Sequence, residues 1–179
     1  MLSSIPPGRL LDVGANAGWY SRLAAQHGHA VVALDLDDRS LGDLYRRAAK
    51  DALAIVPLRM DLMWPTGSSG FGLELRPAPD RLKADTVFAL ALLHHLVERQ
   101  RVTFGSFAAV LALFATKRAI VEFVPSDDPY IAGWSIVHEP WYTQVGFVEA
   151  MAPWFRLIVM LPSDPSPRSI LVFERVDAD

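Results

Sequence analysis

The sequence predicts an α/β fold with a mostly parallel sheet that ends in an antiparallel hairpin. Short apolar runs alternate with segments of helical periodicity through the first two thirds of the chain, which is typical of strand–helix–strand units in a parallel sheet. The last two apolar runs are separated only by the turn-rich segment PSDPSPR. Because that segment is too short for a crossover helix, these two strands must be antiparallel.

The individual elements follow from the bounded apolar runs and the helical patterns between them. Strands are predicted at Leu10–Val13, Ala30–Leu34, Ala54–Leu58, Thr86–Leu90, Ala119–Phe123, Phe155–Leu161 and Ser169–Arg175. Helices are predicted at Trp19–His27, Asp38–Ala52, Phe104–Thr116 and Thr143–Ala152. Gly28 is placed to end the first helix, and Asp38 or Ser40 to begin the second. The segment Trp64–Asp80, rich in Gly, Pro and Ser, is predicted as a loop.

Composition sets the outer limits on function. The 179 residues, 51% of them hydrophobic, are expected to form a single domain over residues 1–179. The net charge of −3 and the lack of a basic cluster disfavour nucleic-acid binding. No cysteine is present, and the longest uncharged apolar run, Phe107–Ala115, is too short to cross a bilayer. The N-terminus has no signal-peptide pattern, so we expect a soluble cytoplasmic protein. We also predict that no metal is required.

The most informative segment is RLLDVGANAGWYS, from Arg9 to Ser21. It is predicted as a buried strand that breaks into a small-residue turn, bracketed by Gly14 and Gly18, before a helix begins. Glycine permits positive φ and the close approach of a ligand, and the start of a helix offers unpaired N–H groups. Asp35 ends the next apolar run, HAVVALD, where a carboxylate could accept hydrogen bonds from both hydroxyls of a ribose. Together these features predict a nucleoside-cofactor site, and a tight turn without a ligand is the alternative.

The glycine spacing argues against a dinucleotide. The dinucleotide fingerprint G-x-G-x-x-G would need glycine where this chain has Asn16 and Trp19. The pattern Asp12-x-Gly14-x-Asn16-x-Gly18 instead resembles motif I of the class I S-adenosylmethionine-dependent methyltransferases. Asn16 departs from the usual glycine of that motif, but asparagine tolerates the left-handed backbone region better than most residues.

This resemblance implies a Rossmann-like three-layer sandwich with a seven-stranded sheet, whose last strand runs against the others, and S-adenosylmethionine as cofactor. In the family the glycine loop passes beneath the methionine part of the cofactor, and the first acidic residue orients the turn and the amino group. The implied cofactor-binding residues are Asp12, Gly14, Ala15, Asn16, Gly18, Tyr20, Asp35, Leu36, Asp61, Leu62, Ala89 and Leu90.

Two further positions of the family have counterparts here. Asp61, in RMDLM, corresponds to the acid that accepts from the adenine amino group, with Leu62 as apolar cover; the alternative is a turn cap. The end of the fourth strand, in ADTVFALALLHHL, passes the methyl-bearing sulfur in the family. His94 or His95, just beyond that strand, could take the proton from an attacking hydroxyl. Alternatively, one histidine caps the next helix and the other faces solvent or the core.

The region after the fifth strand contains carboxyl groups and aromatic residues without an assigned role. Glu122 lies within that strand, and a buried carboxyl group needs a hydrogen-bond partner, so it could hold a histidine or a loop, or face a substrate. Asp127 and Asp128 are equally well explained as a solvated turn. The aromatic residues that follow could wall an acceptor pocket or simply pack together: Tyr130, Trp134, Trp141 and Tyr142.

The combination of DVGANxGxxS, ALxHHL, EFVP and Y-T-x-x-x-F is similar to a group of bacterial methyltransferase-like proteins. Many relatives have preceding helices that close over cofactor and acceptor, and Met1–Gly8 is too short to form such a lid. A partner domain, a second copy of the chain or the 64–80 loop is then expected to cover the site, unless the chain is a fragment.

Two functions are compatible with these features. The first is transfer of a methyl group to a small-molecule acceptor, most simply at oxygen. The alternative is a non-catalytic methyltransferase-like module that binds S-adenosylmethionine or serves as a partner subunit. The segment after the fourth strand lacks the N/D-P-P-Y/F run of enzymes that methylate the amino groups of bases, which favours a small-molecule acceptor. The glycine spacing and the terminal hairpin disfavour an NAD-dependent oxidoreductase.

Overall fold

A computed structural model describes residues 5–176 of the chain. In chain order its elements are β1 (Arg9–Val13), α1 (Trp19–Gln26), β2 (Ala30–Asp35), α2 (Asp38–Lys50), β3 (Ile55–Arg59), α3 (Ala78–Arg81), β4 (Ala84–Ala89), α4 (Leu93–Gln100), α5 (Phe104–Phe114), β5 (Ala115–Phe123), α6 (Gln144–Met151), β6 (Phe155–Pro162) and β7 (Ser169–Arg175). Short 3₁₀ turns lie at Phe71–Leu73 and Ser135–His138. Residues 1–4, which are half of the Met1–Gly8 segment before β1, lie outside the described residues.

The seven strands form one sheet in the order β3-β2-β1-β4-β5-β7-β6. The pairs β1–β2, β1–β4 and β2–β3 are parallel, whereas β5–β7 and β6–β7 are antiparallel. The predicted α/β fold class, mostly parallel with an antiparallel C-terminal hairpin, is therefore confirmed. No helix in residues 5–176 combines the length and the apolar character needed to span a bilayer.

The chain divides into two compact units. The first runs to Phe88 and includes Leu113–Thr116. Its parallel strands end in register, because Val13 pairs with Leu34 and Leu34 with Leu58. The carboxyl ends of β1, β2 and β3 therefore lie side by side, which is where ligands bind in open α/β sheets.

The second unit comprises Ala89–Ala112 and the chain from Lys117 onward. Its core is aromatic: the ring of Phe147 lies 5.2 Å from Phe104, 5.9 Å from Phe123 and 6.0 Å from Phe173, centroid to centroid. Within β5–β7, Phe123 pairs with Ser169, so β7 begins beside the carboxyl end of β5. The hairpin segment that precedes β7 is thereby brought to this end of β5.

Several predicted boundaries were wrong for local reasons. The first turn of α2 is capped by Asp37, whose side chain accepts from Arg39 N at 3.0 Å, and not by Asp38 or Ser40. The predicted 64–80 loop contains the 3₁₀ turn and the start of α3. Thr116, the last residue of the predicted Phe104–Thr116 helix, lies in β5, where its hydroxyl donates to Ala84 O at 3.1 Å. Its β-branched side chain is well suited to a strand.

Candidate active site

Every second residue of the turn after β1 has left-handed backbone. Gly14, Asn16 and Gly18 have φ angles of 72°, 47° and 73°, so asparagine occupies a left-handed position here, as its chemistry allows. At Gly18 a Cβ would lie 2.3 Å from Leu44 Cδ1. This position therefore requires glycine both for its φ and for the close packing of α2 against the turn.

The amide groups of this turn are already bound within the chain. Gly14 N and Ala15 N both donate to Leu34 O at 2.9 Å, and Gly18 N donates to Ala15 O at 2.8 Å. Asn16 N donates to Asp35 Oδ2 at 2.7 Å. These four amides therefore fix the conformation of the turn, which offers a shaped surface of small residues.

Asp35 is the residue that ties the turn to β2. Its Oδ1 accepts from Leu36 N at 2.7 Å and from Asp37 N at 2.9 Å, while Oδ2 accepts from Asn16 N. A carboxylate has about four acceptor positions, so one remains on Oδ2. The predicted contact of Asp35 with both ribose hydroxyls stays a prediction, for which one acceptor position is left unused within the chain.

Asp12 is buried beneath the turn. Its side chain is 3% exposed, and its Oδ2 accepts from Ser21 Oγ in α1 at 2.5 Å. Burial raises the pKa of the Asp12 carboxyl from 3.8 to about 6, although hydrogen bonds from Ser21 oppose the shift. Asp12 thus holds α1 against the end of β1, in keeping with the predicted role of orienting the turn.

Replacing Asp12 with asparagine should stabilise the protein at neutral pH. The Asp12 carboxyl stays protonated to a higher pH in the folded protein than in the unfolded chain. The free energy of unfolding therefore falls as the pH rises from 3.8 to about 6. At pH 7 this cost is about 3 kcal/mol at most, and asparagine avoids it while still accepting from Ser21. Urea unfolding of both proteins at pH 7 and 4.5 should show a gain that is larger at pH 7. An equal difference at the two pH values, or destabilisation at pH 7, would contradict this assignment.

The end of β3 provides a second carboxyl group and apolar surface. Asp61 Oδ1 accepts from Met63 N at 2.9 Å, so the turn-cap interpretation holds for that oxygen. Leu62 is buried at 5% exposure, whereas Leu36, beside Asp35, is 51% exposed. An exposed leucine next to an acceptor carboxylate fits a purine nucleoside, which has an apolar ring face and a hydroxylated sugar. Tyr20, on α1, is 41% exposed.

The predicted residues after Phe88 belong to the second unit. Ala89 ends β4 and Leu90 follows it, and both are buried. The turn then passes through Ala91, which has a φ of 50°, before α4 begins. His94 and His95 occupy the first turn of α4, with ring centroids 4.3 Å apart.

The two histidines differ in burial and in basicity. Burial lowers the pKa of His94 to about 3, helped by the charges of His95 and Arg168. Burial and then the charge of Arg99 lower the pKa of His95 as well. Both imidazoles are therefore neutral at pH 7, and Nδ1 of each is buried without a hydrogen-bond partner among the described residues. A base with a pKa of about 3 is too weak for proton abstraction near neutrality, so His95 is the better candidate.

A buried ion pair, not anticipated from the sequence, lies near the histidines. Arg168 donates from Nε to Asp128 Oδ2 at 2.7 Å and from Nη2 to Asp128 Oδ1 at 3.3 Å. The hydrogen bond from Arg168 lowers the pKa of the Asp128 carboxyl. Glu122, 4% exposed, accepts from Ser163 Oγ at 2.6 Å. Ser163 and Arg168 both come from the hairpin before β7, which looked like a plain turn in the sequence.

The aromatic residues after β5 divide into two groups. Tyr142 is buried, donates to Val124 O at 3.0 Å and packs on Phe123, so it belongs to the core. Trp141 contacts Tyr142 but is 45% exposed. Trp134 instead lies 5.0 Å from the His95 ring, and Tyr130 lies beneath the Arg168 guanidinium. Among residues 5–176, no three His, Cys, Asp or Glu side chains are grouped as metal ligands would be.

Comparisons with known proteins assign the family. Residues 11–112 match the family described as "Methyltransferase domain", a stretch that contains the β1 turn, Asp35, Asp61 and both histidines. The nodulation protein NoeA of Rhizobium meliloti (strain 1021) is 29% identical over 175 residues, which cover 94% of this chain and 36% of NoeA.

Solved structures show the same fold. Magnesium protoporphyrin IX methyltransferase from Synechocystis PCC 6803, with bound SAH, superposes with a TM-score of 0.69 at 19% identity, over 97% of this chain and 76% of that one. The crystal structure of WbdD gives a TM-score of 0.66 at 18% identity, over 94% of this chain and 35% of WbdD. The chain thus spans about a third of the length of NoeA and of WbdD. On the family match and the fold, the chain belongs to the class I S-adenosylmethionine-dependent methyltransferases, whose cofactor is S-adenosylmethionine.

Proposed function

We propose that this chain transfers a methyl group from S-adenosylmethionine to an oxygen of a small-molecule acceptor, and that residues 1–179 work as one methyltransferase domain. The observation that supports this most is the pairing of Asp35 with the β1 turn, through Asn16 N and Asp35 Oδ2 at 2.7 Å. That bond places an acceptor carboxylate beside a turn of small residues at the carboxyl ends of β1 and β2, the usual position of a nucleoside in such sheets.

Most of the candidate binding residues have a distinct task in this proposal. Asp35 would accept one ribose hydroxyl through its remaining acceptor position, and Leu36 would cover one face of the adenine ring. Asp61 would accept from the adenine amino group. The turn with Gly14, Ala15, Asn16 and Gly18, together with Tyr20, would surround the methionine part and exclude water.

The protein has little bond chemistry of its own to perform. When bound, S-adenosylmethionine supplies a methyl carbon that is already activated by its positively charged sulfur. A C–O bond to the acceptor forms as the C–S bond breaks, and the sulfur keeps the bonding electron pair. The proton of an acceptor hydroxyl must then be taken up by a base, for which we propose the neutral imidazole of His95. The main demands on the chain are alignment and the exclusion of water.

Titration calorimetry tests the cofactor assignment. We expect S-adenosylmethionine and S-adenosylhomocysteine to bind and NAD not to bind. Incubation with methyl-labelled S-adenosylmethionine and a panel of hydroxyl, amine and carbon acceptors then tests transfer, with label expected in the hydroxyl compounds. NAD binding, or an absence of homocysteine-product binding, would reject the proposal.

Replacing His95 with glutamine should slow turnover on an acceptor hydroxyl by about 10²- to 10⁴-fold, the usual contribution of a general base. Binding of S-adenosylhomocysteine should stay within about twofold. Since the base must be neutral and its pKa is lowered from 6.5, wild-type kcat/KM should be flat near pH 7 and fall only below pH 6.5. The exposed His138, in the Ser135–His138 turn, provides the control variant His138→Gln. An equal loss of turnover in His95→Gln and His138→Gln would rule out this role for His95. So would a wild-type kcat/KM that already falls with decreasing pH above pH 6.5.

A further inference from the structure

Glu122 is a buried carboxyl group whose hydrogen bonding is incomplete. It lies near the carboxyl end of β5 with 4% of its surface exposed, and Oε1 accepts from Ser163 Oγ at 2.6 Å. Oε2 accepts no hydrogen bond from any residue in the described part of the chain. Oε2 is not one of the side-chain atoms that are both sealed from solvent and unpartnered in the described part of the chain, so it is open to a donor from outside the chain.

Arg168 has the complementary feature. Asp128 accepts from Nε and Nη2 and thereby fixes one edge of the guanidinium, while Tyr130 lies 5.3 Å below it. Nη1 donates to none of the residues between 5 and 176, and 14% of the side chain remains exposed. The hydrogen bond with Asp128, together with the charges of Asp128 and Glu122, raises the pKa of Arg168. Glu122 and Arg168 therefore lie within electrostatic range of each other and offer one free acceptor and one free donor.

The charge balance decides which ligand suits these two groups. The cluster holds one guanidinium and two carboxyl groups, beside histidines that are neutral at pH 7. Asp128 already matches the charge of Arg168, so an added carboxylate or phosphate would meet Glu122 with no cation left to balance it. A hydroxyl group carries no charge and is both donor and acceptor. Two neighbouring hydroxyls supply a donor for Glu122 and an acceptor for Arg168 without adding charge.

We propose that Glu122 and Arg168 bind a neutral acceptor with adjacent hydroxyl groups, such as a sugar or another polyol. Glu122 Oε2 accepts from one hydroxyl, and Arg168 Nη1 donates to its neighbour. Trp134 and Tyr130 supply the aromatic surface that is usual around a few polar groups in small-molecule sites. This inference rests on the proposed methyl transfer and adds the chemical class of the acceptor.

Binding of matched probes to the full chain tests the inference. Phenyl β-D-glucoside and phenyl β-D-glucuronide differ by one carboxylate, and myo-inositol is a polyol without a sugar ring oxygen. Each is titrated by saturation-transfer NMR into protein saturated with S-adenosylhomocysteine. We expect the glucoside to bind at least about fivefold more tightly than the glucuronide, and Glu122→Gln to weaken it about tenfold, the usual effect of losing a hydrogen bond to a charged group. Binding of inositol alone would identify a polyol other than a sugar.

The controls separate recognition from folding. Glu122→Gln keeps the size of the side chain and an oxygen for Ser163, and its melting temperature is measured alongside. Glu174, near the far end of β7 and paired with Arg156, supplies the matched variant Glu174→Gln, which should bind the glucoside as the wild type does. Arg168→Lys keeps the charge but removes the second donor, and should also weaken the glucoside about tenfold.

Three results would overturn the inference: equal or tighter binding of the glucuronide, no binding of either neutral polyol at millimolar concentration, or unchanged affinity in Glu122→Gln. If S-adenosylhomocysteine binds and the polyols do not, the acceptor class falls and the proposed methyl transfer stands. If S-adenosylhomocysteine itself does not bind, the proposed function fails and this inference fails with it.

Discussion

Asp35→Ala should weaken S-adenosylhomocysteine binding by at least about 100-fold. The substitution removes the acceptor for a ribose hydroxyl and, in addition, three backbone N–H bonds, among them the 2.7 Å bond that fixes the β1 turn through Asn16. Hydrogen bonds to a charged group contribute about 1.5–3 kcal/mol each. Losing the bond to the ribose hydroxyl and the bond that fixes the turn amounts to about 3 kcal/mol or more of binding free energy, which corresponds to about 100-fold in affinity. Titration calorimetry measures the effect directly.

The neighbouring acids provide the control for Asp35. Asp38 pairs with Arg59 at 3.5 Å on the surface of the same unit, so Asp38→Asn should change the affinity by less than about twofold. Asp35→Asn, which keeps one acceptor oxygen, should fall between the wild type and Asp35→Ala. Affinity within threefold of the wild type in Asp35→Ala, or a loss in Asp38→Asn as large as in Asp35→Ala, would show that the ribose acceptor lies elsewhere.

Breaking the Asp128–Arg168 pair should destabilise the protein by about 3 kcal/mol, the usual cost of leaving a buried charge without its partner. The chain contains a matched comparison, since Arg156 and Glu174 are also separated by 2.7 Å but remain 71% and 46% exposed. The side chains of Arg168 and Asp128 are 14% and 0% exposed at the same distance. Urea unfolding at pH 7 should therefore show a large loss for Asp128→Asn and less than about 1 kcal/mol for Glu174→Gln.

The pH dependence of this difference has a defined sign. The pKa of Asp128 is lowered in the folded protein, so the stabilisation is present above the ordinary value of 3.8 and is lost as the pH falls through the lowered pKa. The difference in the free energy of unfolding between the wild type and Asp128→Asn should therefore become smaller at acidic pH. Similar losses of unfolding free energy in Asp128→Asn and Glu174→Gln at pH 7 would mean that burial does not set the strength of the Asp128–Arg168 pair.

The turn and the carboxylate that are proposed to bind the cofactor were largely predictable as local structure, because their signals are local in sequence. A strand, a turn and a helix follow one another from Arg9, and steric limits allow Gly14, Asn16 and Gly18 the left-handed φ values that they adopt. Asp35 was chosen because it directly ends an apolar run. The fold class was predictable for the same reason, since alternation and a short hairpin connection leave few topologies.

The use of the turn amides was not predictable. Whether Gly14 N and Ala15 N face a ligand or Leu34 O depends on the register of β1 against β2, and that register is a property of the paired strands. The same holds for the histidines, which look alike in sequence. Only the packing of α4 within its unit makes His94 the more buried of the two and separates their basicities.

The sequence by itself determined a class I methyltransferase fold. It also determined the turn and the carboxylate at which the cofactor is proposed to bind, because these features depend on steric and periodic rules that act within a few residues. The tertiary structure alone decided the pairs Asp128–Arg168 and Glu122–Ser163, whose members are 40 and 41 residues apart. Antiparallel pairing of β7 with β5 brings the hairpin to the end of β5. A contact made by strand pairing over that separation leaves no periodic trace in the sequence.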